Sequence, residues 1–221
     1  MDRHRIGIVI PALNEAKTVG AVVASAARHG VPDVVDDGSA DETGKLAAAA
    51  GATVVRHAVN RGYDQALNSG FAEAAKLGCE YVITMDADGQ HNPGILESFI
   101  QMLDAGADVV IGKRDRRQRL AEHIFAWVAF AKWGIRDPLC GMKAYRIETY
   151  NALGHFDARG SIGTELAIHA AKSGKRIAQL DIKTRDRTDA PRFGRKLSAN
   201  LRILRALWLA LLPPRMKHAD A

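Results

Sequence analysis

Asp86 and Asp88 stand one residue apart in the stretch Tyr81–Pro93, YVITMDADGQHNP, and their spacing asks for metal chemistry. Tyr81, Val82, Ile83 and Met85 read as a short buried strand, so both carboxylates and Gln90 leave its end together. Such carboxylates repel each other unless a cation lies between them, and an all-oxygen donor set suits a hard divalent ion. Mg²⁺ takes one or two protein carboxylates and fills its shell with substrate phosphates. The chemistry expected is a metal holding a nucleoside diphosphate. Taken alone, an Asp-x-Asp is more often an acidic turn, because Asp and Gly are ordinary turn residues.

What positions the pair is an alternation of strands and helices. Ile6–Pro11 is β-branched and apolar and reads as a buried parallel strand. Asn14-Glu15-Ala16 opens a helix through His29. Val34-Val35 is a second, unusually short strand ending in Asp36-Asp37-Gly38-Ser39, and Ser39 with Glu42 gives a capping box for a helix through Ala50. Ala52–Arg56 is a third strand, and Asn60-Arg61-Gly62-Tyr63 a loop before the helix Gln65–Leu77. Beyond the acidic pair come a helix over Pro93–Ala105 and a strand over Asp108–Ile111. This order predicts an α/β fold with a parallel, doubly wound sheet, whose ligands sit beyond the carboxyl ends of the strands. Asn14-Glu15, Asp36-Asp37, Asn60-Arg61 and Asp86-Asp88 all fall at those ends. Four polar clusters on one rim are a site rather than four unrelated turns.

The second half is plainer. Lys113–Arg119 reads as a solvated charge run, Leu120–Ile135 as an apolar helix, Asp137–Gly141 as a turn. Strands are expected over Met142–Arg146 and Ile177–Thr184 with a helix Gly163–Ser173 between them, and Leu197–Leu212 is a final basic amphipathic helix. One domain over 1–197, followed by that helix and a tail over 198–221, is the simplest division.

Composition narrows the class. With 221 residues, 47% hydrophobic and 25% charged, the chain can bury a substantial core. Two cysteines, Cys79 and Cys140, make no disulfide framework and suit a reducing cytosol. The net charge of +6 sits in the segment from Asp181 onward, with ten Lys/Arg against four Asp/Glu. Such a segment suits an anionic membrane or a phosphorylated substrate; it interleaves few aromatics, so nucleic acid ranks last. The apolar stretches near Ile124–Trp133 and Leu204–Leu212 are shorter than the roughly 20 residues of a spanning helix. The expectation is a cytoplasmic protein in peripheral contact with the inner face of the membrane.

The motifs IPALNE, VVDDGSADET, NRGYDQALNSG, DADGQHNP, GKR and DPLCGMKAYR, in that order, resemble the inverting family 2 glycosyltransferases of the GT-A fold. Within them the likeness is to dolichyl- or polyprenyl-phosphate mannose and glucose synthases, over about Ile6 to Leu197. The resemblance implies a three-layer α/β/α architecture around a mostly parallel sheet, a nucleotide-sugar donor and a polyprenyl phosphate acceptor. It implies that Pro11, Leu13 and Glu15 line the nucleotide pocket, Leu13 standing where an aromatic is usual. Asp36 and Asp37 would meet base or ribose, and Asp86, Asp88 and Gln90 would hold Mg²⁺ or Mn²⁺ on the diphosphate. Arg114 would meet the acceptor phosphate, Asp137 would sit near the reacting atoms, and Arg192–Lys196 would close over the site. Asp64 replaces a usual Gly and Arg195 a usual Ser.

A lipid phosphate is already an anion and needs little general-base help, whereas a sugar hydroxyl needs a carboxylate base, for which Asp137 is the best candidate. Transfer to a polyprenyl phosphate is the leading reading, transfer to a sugar hydroxyl the second. A non-catalytic nucleotide-sugar-binding subunit is the reading from another class, and the intact Asp86/Asp88/Gln90 set argues against it. The sugar, the base, the prenol and the oligomeric state stay open.

Overall fold

Ile6–Ala12 (β1), buried along nearly its whole length, lies inside a seven-stranded sheet of order β3-β2-β1-β4-β6-β5-β7. The computed structural model describes residues 2–89, 94–117, 119–183 and 196–212, without the side chains of 196 and 197. Val31–Asp36 (β2) and Tyr81–Thr84 (β4) pair in parallel with the two edges of β1, and Thr53–Arg56 (β3) pairs in parallel with β2. Lys143–Arg146 (β6) runs antiparallel between β4 and Val109–Arg114 (β5), and Ile177–Ile182 (β7) closes the edge parallel to β5.

Helices cover both faces, as a sheet with apolar runs on both sides requires. Val19–Ala26 (α1), Thr43–Ala49 (α2) and Ile95–Asp104 (α4) pack on one face through Val19, Val23, Ala47, Phe99 and Leu103. Tyr63–Lys76 (α3), Leu120–Trp133 (α5), Ile147–Leu153 (α6), Glu165–Lys172 (α7) and Lys196–Leu211 (α8) cover the other. There Phe71, Tyr145 and Phe156 form a ring cluster, with Phe71 and Phe156 stacked at 4.7 Å. The chain passes close to the sheet at Gly70, where a Cβ would stand 2.3 Å from Val9 Cγ1. The buried side of α8 joins the same core through Ile203, Ala206 and Leu207.

Several expectations are corrected. The second strand is not short: it begins at Val31 and includes Pro32 and Asp33, whose side chains are buried despite being turn formers. The first long helix starts at Val19 rather than Asn14, because residues 14–16 are bound to the loop after β2. Ser39 and Glu42 make no capping box; Glu42 is the N-cap without a side-chain bond, and the Ser39 hydroxyl accepts from the Asn14 amide at 2.9 Å. Lys113 and Arg114 belong to β5 rather than to a solvated loop. Helix α6 was not anticipated.

Candidate active site

The strand order changes direction at β1, which has β2 on one side and β4 on the other. In doubly wound sheets the crevice at such a point, beyond the carboxyl ends, is where ligands bind. Pro11 lies near the end of β1 with Leu13 and Glu15 just beyond it, Asp36 ends β2 with Asp37 next, Asp86 and Asp88 follow β4, and Arg114 ends β5. Because β6 is antiparallel, its amino end lies on the same rim, so Asp137–Met142 enters between Asp86 and Arg114. Gln90, Arg192 and the side chain of Lys196 lie outside the described residues.

One wall is built by mutual bracing of the loops after β1 and β2. Asn14, held at φ 52°, donates its amide to Ser39 Oγ, and its side-chain oxygen accepts from the Ala40 amide at 2.8 Å. The Glu15 amide donates to Thr43 Oγ1 at 2.8 Å, and that of Ala16 to Asp41. Desolvation pushes Asp41 up, but hydrogen bonds from the Thr43 hydroxyl and from the Thr43 and Ala16 amides together hold it below the usual carboxylate range.

Asp36 and Asp37 are both spent internally. Asp36 is fully buried, accepts from the Ser39 amide at 2.9 Å and lies 3.5 Å from Arg56 Nε. Asp37 accepts from the Arg61 amide at 2.9 Å, the Gly62 amide at 2.8 Å and His57 Nδ1 at 2.6 Å. A carboxylate only accepts, so Nδ1 carries the proton, and in the neutral ring Nε2 accepts from the Ser69 hydroxyl at 2.9 Å. This Asp–His–Ser chain fixes the loop after β3 against β2. His57 and Ser69 were not singled out from the sequence, where they stand 12 residues apart with no local signature.

The acidic end of the crevice centres on Asp86 and Asp88, both half-buried. Thr84 Oγ1 donates to the Gly141 carbonyl at 2.6 Å, drawing that loop across the end of β4. A Cβ at Gly141 would stand 2.7 Å from Asp86 Oδ2, so any larger residue there would push this carboxylate aside. Tyr63, at the start of α3, ionises only well above its ordinary value, through burial and the nearby negative charge of Asp86. Asp64 beside it is pushed up to about 6 by burial and by Asp157.

At the β5 end, Arg114 Nε donates to Asp137 Oδ2 at 2.8 Å and Nη2 to Oδ1 at 2.9 Å, with its backbone amide on Oδ2 at 3.1 Å. Glu122 of α5 lies 3.4 Å from Nη2 and is shared with Arg119. These carboxylates raise the arginine's pKa against the opposing effect of burial. Cys140, enclosed beside them, is pushed up to about 12 by burial and by Asp137, which makes it an inert packing thiol rather than a nucleophile.

The sequence profile described as Glycosyl transferase family 2 matches residues 7–151. The chain belongs to that family. This family 2 glycosyltransferase is 30% identical over 209 residues to polyprenol monophosphomannose synthase of Mycolicibacterium smegmatis, covering 83% of its own chain and 78% of that one. It is 32% identical over 197 residues to dolichyl-phosphate hexose transferase of Haloferax volcanii, covering 82% and 83%. Its fold matches glucosyl-3-phosphoglycerate synthase of Mycobacterium tuberculosis, solved in complex with Mn²⁺, UDP and glucosyl-3-phosphoglycerate. The TM-score is 0.76 at 24% identity, over 94% of this chain and 80% of that one. The glycosyltransferase is thus a GT-A enzyme with a seven-stranded, mostly parallel sheet.

Proposed function

We propose that this glycosyltransferase moves a hexose from a GDP- or UDP-linked sugar to a polyprenyl phosphate in an inverting, metal-dependent displacement. The observation that carries the choice of acceptor is the Arg114–Asp137 pair. Both Asp137 oxygens are bridged by one guanidinium, so the carboxylate best placed to deprotonate a sugar hydroxyl is held as a hydrogen-bond acceptor. An acceptor that is already anionic needs no such base. The names of the mycobacterial and haloarchaeal relatives support the same class of acceptor.

The donor end fits a divalent ion. Asp86 and Asp88 present oxygen donors at the mouth of the crevice, and Gly141 leaves room beside Asp86 that a Cβ would fill. Among the described residues no three His, Cys, Asp or Glu side chains form a metal cluster, and two carboxylates are what Mg²⁺ ordinarily takes from a protein. The Mn²⁺–UDP complex of the structural neighbour supports the same assignment. Bound there, Mg²⁺ or Mn²⁺ would stabilise charge building on the leaving diphosphate.

The protein's own residues do the rest. The braced loops carrying Pro11, Leu13, Glu15, Asp36 and Asp37 shape the nucleotide cleft. Arg114 has Nε and Nη2 turned to Asp137 and Glu122, and its Nη1 edge serves the acceptor phosphate. By the family resemblance Arg192 and Lys196 would serve the same phosphate. The acceptor oxygen attacks the anomeric carbon as the bond to the diphosphate breaks, inverting the centre. A lipid acceptor places the reaction at the inner face of the membrane, with the protein bound peripherally.

Thermal shift against a panel of GDP- and UDP-sugars, with and without Mn²⁺, tests the donor half. A ligand at about 100 times its dissociation constant adds roughly 2.7 kcal/mol to stability. One nucleotide class raising the midpoint by several degrees, and only with metal, is the expected result. Equal stabilisation in EDTA contradicts it.

A further inference from the structure

Of the eleven exposed large hydrophobic side chains among the described residues, eight lie on α5 and α8. The two helices pack side by side. Leu120, Ile124 and Trp127 recur on α5 at helical spacing, and Leu201, Trp208 and Leu211 do so on α8, so each helix turns one stripe outward. Trp127 is 73% exposed and Trp208 59%, which is unusual for the side chain that gains most from burial. The opposite sides are committed: Phe125 and Ala129 of α5, and Ile203, Ala206 and Leu207 of α8, are in the core. The outward stripes are therefore not a misjudged core. They form one apolar face with two tryptophans, beyond what scattered surface hydrophobics explain.

We infer that this joint α5–α8 face is the surface by which the enzyme docks on an anionic phospholipid bilayer, lying in the interface without crossing it; the inference rests on the lipid acceptor proposed above. Charge selects this occupant. No Asp or Glu occurs in α8, and Glu122, the single acid of α5, is buried against Arg114 and Arg119. The exposed charges on the two helices are basic, Lys132 and Arg202 among them. A second copy of the chain would bring the same basic flanks into like-charge contact, whereas anionic head groups complement them. Tryptophan and basic side chains bordering an apolar stripe are the composition of a helix lying in the head-group region.

Helix α8 is also held flush rather than free to peel away. Arg205 donates to the carbonyls of Arg159 and Gly160 at 3.0 Å each, and Lys172 Nζ donates to those of Ala210 and Leu212. The helix begins at Lys196, the end of the segment assigned to the acceptor phosphate. Among the described residues no helix is long and apolar enough to cross a membrane.

The test is co-sedimentation of the full chain with neutral phosphatidylcholine vesicles and with vesicles containing phosphatidylglycerol, at low and high salt. The paired variant Trp127→Ser/Trp208→Ser is compared with wild type, its fold checked by its melting midpoint. Wild type should bind the anionic vesicles, less at high salt, and the variant should partition more than about tenfold less. Both should transfer sugar equally to a short, water-soluble prenyl phosphate. Absent vesicle binding by wild type, or undiminished binding by the variant, overturns the docking face. So does a wild-type dimer in light scattering that the variant dissolves. Failure of transfer to the soluble acceptor with vesicle binding intact would instead count against the proposed reaction alone.

Discussion

Arg114 and Asp137 are joined by two N–H···O bonds of 2.8 and 2.9 Å, across the gap between the end of β5 and the approach to β6. This pair ties the loop that lies against Asp86 to the strand that presents the arginine. The two sides of the crevice proposed for acceptor and metal are thereby held by one contact.

Breaking that pair on one side should be costly, because it strands a buried charge. Asp137→Ala is expected to lower stability by about 3–5 kcal/mol, read as a fall in the denaturation midpoint. Replacing both residues by apolar ones of similar size, as in Arg114→Met/Asp137→Leu, should recover most of that stability while leaving turnover abolished. A double variant no more stable than the single one would mean the two side chains are not coupled.

Asp88→Ala should remove metal-dependent nucleotide binding and activity while the apo fold persists. Asp88 is half-buried at the rim rather than in the core, so truncating its side chain leaves the packing of the sheet intact. Calorimetric titration of the nucleotide with and without Mn²⁺ checks this, and metal-dependent binding of wild-type strength would refute the assignment.

Gly141→Ala places a methyl 2.7 Å from Asp86 Oδ2. Overpacking of this kind costs about 1–3 kcal/mol, and here the displaced group is a carboxylate proposed to hold the metal. Turnover should fall further than stability predicts, and the nucleotide's apparent affinity should drop only in the presence of metal. Kinetics at several Mn²⁺ concentrations separate this from simple unfolding.

Asp33 on β2 is buried with no hydrogen bond to either oxygen among the described residues. Burial, and secondarily the charge of Glu73, push its pKa up to about 7. The folded protein therefore favours the protonated acid. Its contribution to stability is full below the unfolded value of about 4 and is lost as pH rises towards 7, at up to about 1.4 kcal/mol per pH unit. Asp33→Asn should flatten that slope and raise the melting midpoint above pH 7. Identical pH profiles for the variant and wild type would rule this out.

The sequence showed the rim because its polar clusters follow apolar strands at regular intervals, a pattern visible without coordinates. The central acidic pair was legible for the same reason. The beginning of β2 was not, since Val31-Pro32-Asp33 looks like a turn until Asp33 is seen buried. Nor was the late start of α1: Asn14 adopts φ 52°, and residues 14–16 bond to side chains 25 to 28 residues away. The Asp37–His57–Ser69 chain depends wholly on such distant contacts. Phe125 and Trp127 belong to one apolar run, yet one is in the core and the other on the surface. The buried side of α5 packs into a core it shares with α7 and α8, contacts that no local pattern reveals.

The most direct test of the account is transfer of labelled hexose from GDP-mannose, UDP-glucose or UDP-N-acetylglucosamine, offered either a polyprenyl phosphate or a glycan bearing only hydroxyl acceptors. The account predicts a lipid-phosphate-linked product of inverted anomeric configuration, formed with Mg²⁺ or Mn²⁺ and absent in EDTA. Product found only on the hydroxyl acceptor, or formed equally in EDTA, would contradict it.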